Sequence, residues 1–166
     1  FIYRDALISW DDMTLEGTEI RLDPEKNTAV AEGYVRLKRE KLLAVMDRLE
    51  LDLEKRTGVF YNAIIYDSDN KAYMTAEEVQ WLGGNQFILN QCSFTTCNPK
   101  KPIWEISGNQ FNYRYENFGS SQHAFLKIKG IPVFYFPFLA WPTTSSRKPG
   151  FLAPEFGQDT SNTEKF

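Results

Sequence analysis

Few side chains in this sequence are arranged to do covalent chemistry. His123 is the single histidine. It sits in Ser120-Ser121-Gln122-His123-Ala124, where no triad can be argued around it, so it reads as a strand or turn residue rather than a general base. The carboxylates Asp11, Asp12, Asp23, Asp52, Asp67 and Asp69 fall where strands should end, and Asp is favoured there because its side chain bonds nearby backbone N–H groups. Asp67-Ser68-Asp69-Asn70-Lys71 opens like a calcium loop, but Lys71 stands where an oxygen ligand is needed and Ala72 replaces the required glycine. One histidine and two cysteines do not furnish a zinc site. The expectation is a protein that is not an enzyme and uses no metal or cofactor.

Two other groups carry reactive or charged atoms. Cys92 and Cys97 bracket Ser93-Phe94-Thr95-Thr96. On a straight strand their Cα atoms would stand roughly 16 Å apart, well beyond the ~7 Å limit for a disulfide. A local bridge therefore needs a bend, and Asn98-Pro99 and Lys101-Pro102 do turn the chain nearby. Local pairing, free thiols and bonding to a partner outside the chain all stay open. Arg36, Lys38, Arg39 and Lys41 form a short basic group, read either as a solvated strand end or as a rim that meets the phosphates of an anionic lipid.

The elements that must position these residues are strands. Hydrophobic residues make up 42% of the 166, yet the mean hydropathy is -0.44, so apolar and polar positions are interleaved. Aromatics reach 15%, with 13 Phe and 8 Tyr, which suits β structure or a surface that meets apolar matter. The net charge of -3 disfavours nucleic acid as a partner. No stretch approaches the ~18 uncharged apolar residues of a spanning helix. Phe1 to Trp10 lacks the basic start and cleavage site of a signal peptide, as expected of a trimmed, mature chain.

An internal repeat organises the sequence. Gly17-Thr18-Glu19-Ile20-Arg21-Leu22-Asp23 recurs as Met46-Asp47-Arg48-Leu49-Glu50-Leu51-Asp52, as Ala76-Glu77-Glu78-Val79-Gln80-Trp81-Leu82, and more faintly as Gly108-Asn109-Gln110-Phe111-Asn112-Tyr113. Behind each copy comes a turn, such as Asp23-Pro24-Glu25-Lys26-Asn27, Leu53-Glu54-Lys55-Arg56 or Gly83-Gly84-Asn85. A second alternating run follows, as in Ala29, Ala31, Gly33, Val35, Leu37 and in Gly58, Phe60, Asn62, Ile64, Tyr66. Each unit is thus two strands with one apolar face. Arg21, Arg48, Glu50 and Gln80 lie on the opposite, charged face.

A two-strand unit cannot bury its apolar face alone, so successive units must stack and curl around a shared interior. The predicted fold is all-β: an elongated β-jellyroll or sandwich of stacked two-strand repeats. Its interior stripe is Ile20, Leu22, Val35, Leu37, Leu49, Leu51, Ile64, Val79, Trp81, Phe94, Phe111 and Tyr113. Packed shut, that stripe is a core, as in a closed β-solenoid scaffold or adhesin-like domain; splayed open, it is a groove for lipid.

From Gly130 the character changes. Ile131-Pro132-Val133-Phe134-Tyr135-Phe136-Pro137-Phe138-Leu139-Ala140-Trp141-Pro142 is intensely apolar, and its prolines lack the ladder donor, which confines it to an edge, bulge or strand end. It should close one end of the stack. Residues 1–142 are expected to form the domain, with 143–166 a polar linker and the start of a further element.

Three segments in one order and spacing resemble LptD, the outer-membrane lipopolysaccharide-assembly family. They are Thr95-Thr96-Cys97-Asn98-Pro99 with Trp104-Glu105-Ile106, then Ile131 to Phe138, then Arg147-Lys148-Pro149-Gly150-Phe151-Leu152-Ala153-Pro154. The upstream repeats are similar to the looser pattern of the soluble bridge jellyrolls of the same pathway. Those bridge proteins lack the proline-aromatic segment and the Arg-Lys-Pro-Gly-Phe-Leu link.

The resemblance implies a periplasmic, OstA-like N-terminal domain at the outer membrane. Such a domain receives lipopolysaccharide from a neighbouring LptA-like jellyroll, edge strand to edge strand. It guides the acyl chains along the apolar stripe to a barrel plugged by an LptE-like lipoprotein. The resemblance also implies that Cys97 matches the family's usual disulfide position, with Cys92 the less usual partner. It places Pro154 in the first barrel strand, where it loosens a lateral gate.

Overall fold

A computed structural model describes residues 1–143. Pro154 and the Arg147 to Pro154 segment lie outside the described residues. Among the described residues, ten strands follow one another along the chain: β1 (Ile2–Trp10), β2 (Met13–Asp23), β3 (Thr28–Arg39), β4 (Leu42–Asp52), β5 (Thr57–Asp67), β6 (Ala72–Gly83), β7 (Gln86–Thr95), β8 (Trp104–Arg114), β9 (Phe118–Ile128) and β10 (Ile131–Pro142). Each pairs antiparallel with the next, giving one open sheet in the order β1 to β10. The fold is all-β, as the alternation predicts.

The Asp-led turns form as their chemistry requires. Asp23 Oδ1 accepts the N–H groups of Glu25 and Lys26, Asp52 Oδ1 those of Glu54 and Lys55, and Asp67 Oδ1 those of Asp69 and Asn70. These carboxylates shape turns, and the calcium-like segment is one of them.

The sequence repeat marks a row of directly opposed residues across the sheet. Ile20 faces Ala31, then Leu49, Phe60, Val79, Leu89, Phe111 and Ser121 in turn. The four repeat anchors Ile20, Leu49, Val79 and Phe111 are each 0% exposed. Cross-strand pairs of this kind stabilise a sheet face, and the row forms the floor of a single apolar interior.

The sheet bends along a second row. Each odd-numbered strand holds one mid-strand residue with positive φ: Asp5 (47°), Gly33 (77°), Asn62 (51°), Gln91 (46°) and His123 (55°). Glycine takes this backbone freely, and Asn, Asp and His tolerate it best among the others. At Gly33 the requirement is doubled, because an added Cβ would also lie 2.7 Å from Thr18 Cβ. Along this row the side-chain phase inverts. On β4 the buried positions run Ala44, Met46 and then Leu49, Leu51, and on β6 they run Met74, Ala76 and then Val79, Trp81. The step of three leaves two consecutive outward residues, such as Asp47 and Arg48, at the corner of the fold.

That inversion corrects one expectation. Ile64, read as interior from an unbroken alternation through Phe60 and Asn62, is 38% exposed. Because Asn62 turns the backbone, Ala63 and Ile65 point inward in its place.

Candidate functional site: an apolar interior closed by a polar seam

Eleven of the twelve stripe positions face the interior. Ile20, Val35, Leu37, Leu49, Leu51, Val79, Trp81, Phe111 and Tyr113 are buried, and Leu22 and Phe94 pack against them half-buried. Phe60 of the second alternating run is buried too, and sequence reasoning missed Met13, Leu15, Ala44, Met46, Ala63, Ile65, Met74 and Leu89, which are equally buried. On the even-numbered strands the signal that finds them is a pair of polar residues just before the repeat anchor, such as Asp47 and Arg48 before Leu49. The outward face is charged as expected: Arg48 bridges Glu32 at 3.0 Å and Glu50 at 2.7 Å. Exposed pairs like these contribute little to stability.

The expected groove is drawn nearly shut. The opposed walls leave between them only a small apolar cavity of about 30 Å³, lined by Leu37, Arg39, Leu42, Phe60, Met74 and Trp81 among others. Toward β10, Trp141 packs on Phe111 at 5.3 Å and on Phe94 at 6.0 Å between ring centres, so one residue of the proline-rich segment covers the interior there while most of β10 stays exposed. The indole lies over Gly119, where any Cβ would strike it. On β9 and β10, Ile131 and Phe134 lie in register with Ile128 and Leu126 on the side of the sheet that faces the interior, in the row of Phe94, yet they are exposed, while Phe125 and Phe138 are exposed on the opposite face.

The two rims of the curled sheet meet along a seam of polar contacts. Arg56, in the β4–β5 turn, donates from Nη2 to Asp11, in the β1–β2 turn, at 2.6 Å. Arg39, at the end of β3, donates from Nη1 to the carbonyl of Gly84, in the β6–β7 turn, at 2.5 Å. Tyr113 of β8 donates to Asp67 Oδ2 at the end of β5 at 2.9 Å. Asn70, in the β5–β6 turn, donates to the carbonyl of Thr143 at 3.0 Å. The first three contacts each join one rim to the other across a stagger of three strands. Burial, with the Asp67 charge behind it, pushes the Tyr113 hydroxyl far above the ordinary tyrosine range, and burial pushes Tyr115 up to about 12.

The remaining candidates do not form a reactive centre. His123 is exposed on β9, its Nδ1 bonded to the Tyr135 hydroxyl and its ring stacked on that residue. Cys92 is buried and Cys97 half-buried, and both thiols are free. Cys92 donates to the carbonyl of Gly108 at 3.4 Å, and burial pushes its thiol up to about 12, which disfavours the reactive thiolate. Among the described residues no cluster of three or more His, Cys, Asp or Glu could hold a metal ion.

No family model matches the chain. Curated relatives do. The chain is 31% identical over 154 residues, 92% of its length, to the LPS-assembly protein LptD of Chromohalobacter salexigens. It is 31% identical over 156 residues, 91% of its length, to that of Xanthomonas oryzae pv. oryzae, and 30% identical over 139 residues, 83% of its length, to that of Thiobacillus denitrificans. In each case the chain spans 19% of the relative's own length. A ten-stranded open sheet curled on an apolar interior and matched by these sequences over 83–92% of the chain is thus a member of the LptD family, over the segment that it shares with them.

Proposed function

We propose that this chain is a conduit domain in lipopolysaccharide assembly at the outer membrane, working by passive burial of lipid and not by catalysis. The relatives' names support the pathway. The observation that carries the conduit reading is the unbroken apolar row from Ile20 to Phe111, which crosses seven strands without a polar interruption. Burial of acyl chains is favourable by about 0.8 kcal/mol per methylene, so holding the lipid needs no cofactor, and directed movement must draw on energy from elsewhere.

In this reading, residues 1–142 form the periplasmic jellyroll, and 143–166 lead through Pro154 to a barrel closed by an LptE-like lipoprotein. β1 and β10 each have one strand neighbour among the described residues. A sheet edge recruits further strands through its free N–H and C=O groups, which is how an LptA-like jellyroll would hand over its lipid. A disulfide from Cys97 or Cys92 to the rest of the protein belongs to the same reading.

Photocrosslinking tests it. Probes at Leu49, Leu51 and Val79, which point inward, should give lipopolysaccharide adducts, while a probe at Ile64, which points outward, should give none. A second reading, a closed β-solenoid scaffold, is favoured by the complete burial of the repeat anchors. Absence of adducts at every interior position selects the scaffold and rejects the conduit.

A further inference from the structure

Arg39 lies where the apolar pocket meets the seam. Its Nε donates to Asp12 Oδ2 at 2.9 Å and its Nη1 to the Gly84 carbonyl at 2.5 Å. Its guanidinium carbon sits 5.8 Å from the centre of the Trp81 ring, and Trp81 Nε1 donates to the same Gly84 carbonyl at 3.0 Å. The side chain thus lines the pocket together with Leu37 and Leu42 and stays 23% exposed to water.

A narrow apolar pocket with a guanidinium in its lining has the chemistry to select a ligand with an alkyl tail and an anionic head. The planar fork of Arg matches two phosphate oxygens at once, which a single ammonium does not. Its present partners are exchangeable. Asp12 is a partly exposed carboxylate, and an exposed ion pair is cheap to break. The neighbouring Asp11 is neutralised by Arg56 at 2.6 Å, which limits repulsion of an incoming anion.

We propose that Arg39 is both latch and head-group receptor: the phosphate of an acyl lipid takes its guanidinium from Asp12 and Gly84, which parts the rims directly over the pocket that receives the tail. Recognition of the head and admission of the tail are then one event. This rests on the conduit reading above and adds to it the residue that chooses a phosphorylated lipid.

The test is titration of the full chain with decyl phosphate, with decanol and with inorganic phosphate, below micelle-forming concentrations. The readout is the indole N–H resonance of Trp81, assigned with Trp81→Phe. Decyl phosphate should bind about tenfold tighter than decanol, the difference expected of a charge-assisted contact, and inorganic phosphate should cause no shift at the same concentrations. Arg39→Gln should make the two alkyl ligands equal. Asp12→Asn, which removes the competing carboxylate, should widen the preference even if Arg39→Gln fails to fold. Equal binding of decyl phosphate and decanol to the unmodified chain, a preference that survives Arg39→Gln, or inorganic phosphate binding as well as decyl phosphate would overturn the assignment while leaving an alkyl-binding interior. Failure of every alkyl ligand to bind would overturn the conduit reading with it.

Discussion

Tyr113 donates its hydroxyl proton to Asp67 at 2.9 Å, joining β8 to the far end of β5 inside the fold. Asp67 is 1% exposed and also accepts from the backbone and side chain of Asn70. Tyr113→Phe keeps the ring but takes one donor from a buried carboxylate. It should destabilise the domain by about 1.5–3 kcal/mol, read as a lower midpoint in urea unfolding at unchanged m-value.

The same contact makes the domain alkali-sensitive. Desolvation, and then Asp67, hold Tyr113 protonated in the folded state, whereas an unfolded tyrosine loses its proton near pH ~10. The stabilisation is fully present below that value and is lost as pH rises above it. Unfolding free energy measured from pH 8 to 11 should fall toward the alkaline end, and less steeply in Tyr113→Phe. Tyr115, also raised, leaves a residual slope.

The two thiols should differ in reactivity. Cys97 is half-buried in a turn, while Cys92 is buried with its thiol pushed up to about 12. At pH 8 a thiol reagent should label Cys97 in native protein and reach Cys92 only on unfolding. Equal labelling rates would show that β7 opens readily at Cys92.

Asn62 supplies the corner of β5 with a φ of 51°. Asn62→Val places a β-branched side chain in that backbone and should cost about 1–3 kcal/mol. Asn62→Gly should be nearly neutral, since the bond from Asn62 Nδ2 to Asp47 is exposed. A thermal melt of both variants decides it, and equal losses would mean that the bond, not the backbone, matters.

Inward and outward positions on adjacent strands should separate cleanly. Leu49→Ala empties a fully buried site and should cost about 2–5 kcal/mol. Ile64→Ala, on the outer surface, should cost under about 1 kcal/mol.

Fold class and repeat length were legible because the anchors Ile20, Leu49, Val79 and Phe111 recur in one context, and cross-strand pairing turns equal context into a continuous row. The turns were legible because Asp23, Asp52 and Asp67 act on backbone only two and three residues away. Ile64 was misplaced for a physical reason. A polar residue with positive φ, such as Asn62, has the same composition as an ordinary outward residue, yet it reverses the facing of all that follows. The partners of Arg39 and Tyr113 were hidden because Gly84 and Asp67 lie 45 and 46 residues away. They meet only through the curl of the whole sheet.

The three-strand stagger of the rim contacts has a mechanical consequence. Fasteners placed at Asp11–Arg56, Arg39–Gly84 and Asp67–Tyr113 follow a screw path, so no two of them span the same pair of strands. Each can release while the others hold, and local opening then involves one fastener at a time instead of the sum of all. In the conduit reading proposed above, a bulky guest would advance as a travelling gap, like a bead moving beneath a zip that reseals behind it.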